Sequence, residues 1–318
     1  MAGRGMVTTG GEQLSDHIAV LSLNEANELA HALLAHIGQN AGIRVLSIKG
    51  LVADRYGLRP PRAAADADVM VDPARFDEYC ALLATYGWHP RVEREVPSLL
   101  GTHSITLIRS DWPNDLDVHV RFPGFFAPDA VVFDRLWETR GEMQAAHVTI
   151  MVPSRAASAV IAGLHAVRYS RSVRHAGELE LVGNLLRNRF DDTERGEFFD
   201  VARAGRAQWV LRELFAFGGV ECEIDADARQ RRLWELNRAT VEDGAAVSWL
   251  AALAAAPWHR KPAVLVRALW ISRAEIPRND AARMPSTTEA WRHRLVRWRR
   301  GGIALLRYLL SAVRERFR

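Results

Sequence analysis

The sequence contains few cysteines, and it has no long apolar run. Two cysteines, Cys80 and Cys222, are too few for a disulfide framework or a zinc pattern, which indicates thiols in a reducing compartment. The first fifteen residues lack the apolar core of a signal peptide. The longest nearly apolar run, residues 245–258, is too short to cross a bilayer. These absences argue against secreted, disulfide-rich and membrane-spanning classes, and they predict a cytoplasmic protein.

Lysine is almost absent as well. Of 42 basic residues only Lys49 and Lys261 are lysines, and the others are arginines. Lys49 stands between an apolar run and Gly50. A compact ammonium suits a phosphate as a point charge, and a glycine lets the backbone approach a ligand closely. The pair therefore predicts a phosphate contact, with chance placement as the alternative.

The composition and the order of patterns predict an α+β fold. The chain has 318 residues, of which 48% are hydrophobic and 25% charged, as in globular proteins. Period-two and helical patterns alternate in the first part and predict a small mixed sheet with helices on one face. Strand signals fade after about residue 127, so the remainder is expected to be mostly helical. The predicted units are a disordered tail (1–15), a sheet domain (16–126), a helical domain (127–275), and a linker with basic amphipathic helices (276–318).

Asp66-Ala67-Asp68 opens an apolar strand-like run. Side chains alternate on a strand, so both carboxylates project from one face, roughly 6.6 Å apart. A divalent cation between them would remove their repulsion. Arg62, four residues upstream, is within reach of an anion held there. The alternative is that the aspartates bond their own backbone in a turn.

A second period-two segment covers residues 115–120. It predicts a half-buried strand with Asp115, Asp117 and His119 on one face. If this strand lies beside the Asp66 strand, a third carboxylate joins the first two. Three acids on neighbouring strands are the arrangement for metal-dependent phosphoryl or nucleotidyl transfer.

The ordered set of these motifs resembles a known family. Lys49-Gly50, then Arg62-x-x-x-Asp66-x-Asp68, then Asp117-x-His119 is similar to the uncharacterised nucleotidyltransferase family of bacteria, a branch of the polymerase-beta-like nucleotidyltransferases. The resemblance covers roughly residues 20 to 190. It implies a minimal nucleotidyltransferase domain followed by a helical acceptor domain. One departure is that Lys49-Gly50 stands where the wider superfamily carries Gly-Ser.

The resemblance implies an activity and its groups. A metal-dependent enzyme of this kind moves an NMP group from an NTP, expected to be ATP, to an unknown small-molecule or protein acceptor and releases pyrophosphate. Mg²⁺ or Mn²⁺ is the implied cofactor. The implied catalytic residues and metal ligands are Asp66, Asp68 and Asp117. The implied nucleotide contacts are Lys49, Gly50 and Arg62.

A basic cluster lies at and beyond the end of a predicted helix, and its members are His165, Arg168, Arg171, Arg174 and His175. The resemblance places a functional histidine at His165, so substrate contacts are expected from His119, His165 and Arg168. The alternative for His119 is a structural or orienting role. For the cluster it is a solvated helix end favoured by the helix dipole. The family also carries a later helical acid, but residues 181–184 contain none.

The last segment, residues 291–318, holds nine arginines and one acid among tryptophans and leucines. Basic amphipathic helices bind anionic membrane surfaces, nucleic acid or an acidic partner. Equally, such a helix can pack back on its own domain with the arginines in solvent. Gly301-Gly302 is predicted to break the segment into two helices.

Two other functions remain open. A non-catalytic protein of the nucleotidyltransferase fold would bind a nucleotide, or a macromolecular partner through its basic C-terminus. The missing Gly-Ser favours this alternative, whereas three retained carboxylates favour an enzyme. Nucleic-acid binding by the arginine-rich end ranks last, because no recognised reading module is present.

Overall fold

The structure is a computed structural model that describes residues 21–92, 103–169, 171–223, 226–243, 245–276 and 284–316. The predicted disordered tail and its helix cap at Ser15-Asp16 lie outside these residues. The first elements are α1 (Leu23–Ala41), β1 (Val45–Ile48), α2 (Gly50–Arg55), β2 (Asp66–Val71), α3 (Phe76–Thr85), β3 (His89–Pro90), β4 (Ser104–Ile108) and β5 (Asp115–His119). The next are α4 (Asp129–Glu138), β6 (Gly141–Ala145), β7 (Val148–Val152), α5 (Arg155–Arg168), α6 (Val173–Asn188), α7 (Asp192–Ala204) and α8 (Arg212–Phe217). The last are α9 (Ala228–Asp243), α10 (Ala245–Ala255), α11 (Lys261–Leu269) and α12 (Thr287–Arg316). The predicted α+β class is confirmed.

The main sheet has five strands in the order β1-β2-β5-β4-β3. Strands β2 and β5 are parallel, and the other neighbours pair antiparallel. One face is apolar and packs against α1 and α3, because alternate residues of the two central strands are buried there. These residues are Ala67, Val69, Val71, Leu116 and Val118. The acids of the same strands must therefore project from the opposite face.

The opposite face meets the helical part of the chain. Leu46, Ile48 and Met70 from β1 and β2 share a core with α4, α5, α7 and α8. The largest buried side chains of this core are aromatic, and they are Phe133, Phe198, Phe215 and Trp234. This core holds the helices over the polar side of the sheet, and the space left between them is where a ligand can enter.

Helix α1 begins with a capping box in which Ser22 Oγ accepts from Glu25 N–H and the Glu25 carboxylate accepts from Ser22 N–H. The sequence favours helix ends at Gly38 and Gly42, but only Gly42 ends the helix, at φ 62°. Gly38 stays helical because β1 passes close to it, and a Cβ there would lie 2.7 Å from Val45 Cγ2. The glycine is thus required for close packing rather than for termination.

The part of the chain after residue 127 is mostly helical, as expected, but β6 and β7 form a hairpin that the fading strand signals do not predict. Its turn, Ala146-His147, has φ values of 45° and 64°. Such turns are usually marked by asparagine or glycine, and neither is present. Tertiary packing stabilises the hairpin instead, since Ala145, Ile150 and Val152 share a core with Ala35 of α1 and Val52 of α2.

The predicted break at Gly301-Gly302 is also wrong, because α12 is continuous through both glycines. Each glycine costs about 1 kcal/mol in a helix interior. Side chains of α12 anchor the preceding turns to the end of α11 and offset this cost. Arg294, Arg297 and Trp298 donate to the carbonyls of Ile271, Ala268 and Leu269. No helix in the described part of the chain combines the length and apolarity needed to cross a bilayer.

Candidate active site

The acids of β2 and β5 lie side by side, as the sequence predicts. Pairing places Asp66 opposite Asp115 and Asp68 opposite Asp117 in a parallel register. The register follows from burial, because a slip by one residue would turn the apolar set of one strand to the wrong face. Asp68 is only 3% exposed, whereas Asp66 and Asp117 are partly exposed.

Lys49 stands directly after β1 and points at these acids. Its Nζ donates to Asp68 Oδ1 at 2.6 Å. Its backbone has φ 54° and ψ −141°, a conformation that strongly favours glycine. A non-glycine residue held there costs on the order of 1–3 kcal/mol, and such residues cluster at functional sites. The ion pair with Asp68 stabilises the side chain in this unusual position.

Asp68 is the most heavily bonded acid of the group. His119 Nε2 donates to the same Oδ1 at 3.0 Å. Burial raises the pKa of Asp68, but Lys49 and His119 outweigh it and hold that pKa well below its usual range. Burial also opposes the charge of Lys49, and Asp68 outweighs it and raises the ammonium's pKa. The pair is therefore charged across the whole neutral pH range.

Asp66 and Asp117 have different surroundings. Burial, and next the charge of Asp68, raise the pKa of Asp66 to about 6. No ion pair of Asp66 occurs among the described residues. Asp117 Oδ1 accepts from Thr106 Oγ1 at 2.6 Å, which fixes the carboxylate on β5. Asp115, two residues earlier, is neutralised by Arg91 at 2.6 Å.

Asp68, Asp117 and His119 could hold a divalent cation. Each offers one ligand atom, and the three atoms all lie within 4.8 Å of one another. His119 Nδ1 is buried without a hydrogen-bond partner in the described structure, so one ring nitrogen is left unused by the fold and could ligate a cation. Two carboxylates suit Mg²⁺, and the added imidazole suits Mn²⁺ and related ions. The donor set thus fits the implied cofactor.

This cluster differs in one member from the predicted set of Asp66, Asp68 and Asp117. The structure groups Asp68 and Asp117 with His119, for which the sequence analysis expects a substrate contact. Asp66 instead lines the neighbouring cavity. Which of the four side chains ligate a metal stays a prediction.

A cavity of about 330 Å³ opens between the sheet and the helical region. Its floor contains Lys49, Gly50, Asp66 and Asp68. The loop before β2 forms a second side and contributes Arg62. Helices α5 and α6 form the wall facing the carboxylates, with Ser158, His165, Arg174 and Glu178. Cations and carboxylates thus meet in one space large enough for a phosphorylated small molecule.

Two predicted substrate residues come from α5, but only one lines this cavity. His165 does, whereas Arg168 does not line it and acts through its charge on His103. Burial and then the charge of Arg168 lower the pKa of His103 to about 3. Arg168 Nε is buried without a partner among the described residues. The end of α5 is therefore partly buried, whereas Arg171 and Arg174 of the basic cluster are exposed.

Glu178 is a site residue that the sequence analysis does not identify. It is 5% exposed, and its Oε1 accepts from Arg62 Nη1 at 2.5 Å. Arg62, predicted to contact phosphate, is thus paired with an acid of α6. Residues 181–184 contain no acid, and Glu178 lies about one turn before them on α6. The sequence could have identified Glu178 by its helical spacing, which places it on the same buried face of α6 as His175, Val182, Leu185 and Leu186.

His165 makes this site sensitive to acid. Burial and then the charge of Lys49 lower the pKa of His165 to about 3. The ring takes up a proton near pH 6.5 in the unfolded chain but only near pH 3 in the folded one. The free energy of unfolding is therefore highest above pH 6.5 and falls as the pH is lowered toward 3. His165→Asn should reduce the loss of unfolding free energy between pH 7.5 and 5.0 by about 1–2 kcal/mol. Urea titrations at both values test this.

The same titrations between pH 7.5 and 9 provide the control. Neither the folded nor the unfolded histidine exchanges a proton there, so wild type and His165→Asn should show parallel profiles. An equal acid loss in both proteins would contradict the assigned burial of the ring.

Comparisons with known proteins give little beyond this geometry. The chain matches no protein-family model and no curated protein. The solution structure of the antibiotic-resistance factor ANT(2'')-Ia has a TM-score of 0.38 and 15% identity, covering 59% of this chain and 95% of that one. The crystal structure of an antigenic nucleotidyltransferase-like protein from Paracoccidioides brasiliensis has a TM-score of 0.35 and 11% identity, covering 62% and 95%. These TM-scores are too low for either likeness to support an argument about this chain.

Proposed function

We propose that the chain is a metal-dependent nucleotidyltransferase that moves an NMP group from an NTP to an acceptor hydroxyl. The observation that carries this proposal is the register of Asp68 with Asp117 on parallel strands. Asp68 also lines a cavity that contains Lys49 and Arg62. Paired carboxylates beside fixed cations are what a triphosphate and its cation require.

The position of each residue at the site indicates the role it would have in the reaction. Asp68, Asp117 and His119 would hold the cation, which when bound would neutralise the phosphates and polarise the α-phosphorus. Lys49 and Arg62 border the cavity and would bind phosphate oxygens. Arg62 would have to leave Glu178 in order to bind the nucleotide. Lys49 would have to contact both Asp68 and the nucleotide.

Transfer itself needs one bond formed and one broken. The acceptor oxygen attacks the α-phosphorus, the bond to the bridging oxygen breaks, and pyrophosphate leaves with the electron pair. Asp66 would take the hydroxyl proton, because it lines the cavity and, within the described residues, is not used by an ion pair. This assigns the base to Asp66 rather than to Asp117, whose carboxylate is fixed by Thr106.

Nucleotide binding without catalysis is the second candidate. It is favoured by the two internal ion pairs, Lys49–Asp68 and Arg62–Glu178, which satisfy the charged groups without a ligand. A protein of this kind would bind a nucleotide equally well with and without a divalent cation.

Thermal unfolding with each NTP, with and without Mg²⁺, separates the two. A ligand at about a hundred times its Kd stabilises the native state by about 2.7 kcal/mol, which corresponds to a midpoint shift of about 5 °C. We expect one NTP to give this shift only with Mg²⁺. Pyrophosphate release with that NTP and candidate hydroxyl acceptors is the second measurement.

The matched variants are Asp117→Asn and Asp115→Asn on the same strand. Asp115 is paired with Arg91 and lies outside the Asp68–Asp117–His119 cluster. Asp117→Asn should abolish the Mg²⁺-dependent shift, whereas Asp115→Asn should keep it. A shift that does not need Mg²⁺ would favour nucleotide binding alone, and no shift with any NTP would contradict both functions.

A further inference from the structure

An apolar surface lies at the C-terminal end of the described chain, and we call it the α11–α12 surface. Most of the exposed large apolar side chains in the described structure occur after residue 257. Helix α11 has no buried residue at all, although its sequence is largely apolar. The surface is formed by Leu265, Val266, Leu269, Trp270, Trp291, Leu295, Trp298 and Leu306.

The side chains of α12 in this surface form one stripe. Trp291, Leu295 and Trp298 are spaced by four and three residues, and Leu306 continues the same face two turns later. Leu295 is 58% exposed and Leu306 is 59% exposed, so the stripe points away from the rest of the chain. An amphipathic helix normally buries such a stripe, and here the described chain does not cover it.

Specific contacts fix the aromatic side chains of this surface. Trp270 and Trp291 meet edge to face at 5.6 Å, and Trp291 and Trp298 at 6.5 Å. Arg294 stacks over Trp270 at 3.8 Å and donates to the carbonyl of Ile271. Trp298 Nε1 donates to the carbonyl of Leu269 at 2.7 Å. These contacts hold the two helices together while their apolar side chains stay exposed.

Positive charge borders the apolar side chains. Exposed cations are Arg260, Lys261, Arg292, Arg299 and Arg300. The sequence has no acid from residue 256 to 274 or from 290 to 314. An apolar surface with tryptophans and a border of cations is complementary to the interface of an anionic bilayer, where acyl chains lie below charged headgroups.

We propose that the α11–α12 surface binds the protein to anionic lipid membranes, lying in the interface plane. A second copy of this surface would bring arginines against arginines without an acid to pair them, so charge argues against self-association. Nucleic acid would use the arginines and tryptophans but would leave Leu265, Val266, Leu295 and Leu306 in water. Of these three occupants, a lipid surface is the one that satisfies the aliphatic and the cationic groups together.

Sedimentation of the full chain with vesicles tests the proposal. One set is phosphatidylcholine alone, and the other contains about 30% phosphatidylglycerol, so that headgroup charge is the only variable. We expect binding to the anionic vesicles, weaker binding at high salt, and little binding to the neutral ones. Leu295→Ser/Leu306→Ser and Arg299→Glu/Arg300→Glu should each weaken it by about tenfold or more.

Two controls keep the result interpretable. Val131→Ser on α4 removes an exposed apolar side chain elsewhere, and Arg189→Glu/Arg229→Glu reverses two exposed charges elsewhere. Both should bind anionic vesicles like wild type, and circular dichroism confirms that every variant is folded.

Several results would overturn the proposal. They are no binding to anionic vesicles, equal binding to both vesicle types, and equal loss in the control variants. If the protein does not bind vesicles but forms a dimer, and Leu295→Ser/Leu306→Ser makes it monomeric, the surface is an interface with a second copy. If the protein does not bind vesicles but is retained on single-stranded DNA in a salt-dependent way, and Arg299→Glu/Arg300→Glu abolishes this retention, the surface binds nucleic acid.

Discussion

Asp68→Asn should destabilise the metal-free protein by about 3 kcal/mol, a large effect for one isosteric change. The substitution leaves the Lys49 ammonium, whose side chain is 18% exposed, without its hydrogen-bonded carboxylate. Removing one partner of a buried pair exposes the desolvation cost of the other, whereas removing both partners does not. Urea unfolding in the presence of a chelator measures the change.

The double variant Lys49→Met/Asp68→Asn is the control for this interpretation. It removes both charges and should recover most of the lost free energy of unfolding. Asp68 has a lowered pKa in the folded state, so its contribution is complete above the unfolded value near 4 and is lost only in acid. Lys49 has a raised pKa, so its contribution is lost only at high pH.

The destabilisation should therefore be constant between about pH 7 and pH 9, because Asp66, whose pKa of about 6 depends on the charge of Asp68, titrates below this window. A double variant that is no more stable than Asp68→Asn would contradict the ion pair as its cause. A destabilisation that changes steeply within this window would contradict the assigned charge states.

Lys49→Met should bind Mn²⁺ about tenfold more tightly than wild type when no nucleotide is present. The Lys49 ammonium is hydrogen-bonded to Asp68 Oδ1 at 2.6 Å, so a metal ion that binds this carboxylate has to displace the ammonium. Removing the ammonium also leaves Asp66, Asp68 and Asp117 to repel one another, which favours a divalent cation between them. Mn²⁺ binding followed by electron paramagnetic resonance gives the affinity directly.

The chain provides its own control for this prediction, because Lys261 is the other lysine. It lies at the exposed start of α11, so Lys261→Met should bind Mn²⁺ like wild type. With NTP present the order should reverse, because Lys49→Met lacks the ammonium that would bind the phosphates. Unchanged or weaker Mn²⁺ binding by nucleotide-free Lys49→Met would show that Lys49 and the metal do not compete for Asp68.

Such competition would couple the two ligands. In the absence of nucleotide, Lys49 neutralises Asp68, and a cation binds poorly. A triphosphate would draw the ammonium away and free the carboxylate, so each ligand would favour binding of the other. The unusual backbone of Lys49, at φ 54°, positions the side chain between the two.

Local patterns in the sequence were sufficient for the central strands. Period-two alternation placed Asp66 with Asp68 on one face of the first strand, and Asp117 with His119 on one face of the second. The pairing of β2 with β5 brings the two sets together. Side-chain alternation is a property of the backbone, so it does not depend on distant contacts. The start of α5 at Ser154 and the end of α1 at Gly42 could be predicted for the same reason, since both are local caps.

Other elements depended on contacts that no short segment contains. The β6–β7 hairpin turns through Ala146-His147 without asparagine or glycine, because packing on α1 and α2 compensates for the unfavourable turn. Helix α12 continues through Gly301-Gly302, because it is anchored to α11 just before them. In each case tertiary packing outweighed a local preference, which for the two glycines of α12 amounts to about 2 kcal/mol.

The sequence by itself determined which acids of β2 and which acids of β5 share a face, because side chains alternate between the two faces of every strand. Only the tertiary structure decided their partners. It paired Lys49 with Asp68, placed His119 beside Asp68 and Asp117, and brought Glu178 across the cavity to Arg62. Ion pairs between residues far apart in sequence depend on how helices pack over the sheet, and no spacing within the chain encodes that distance.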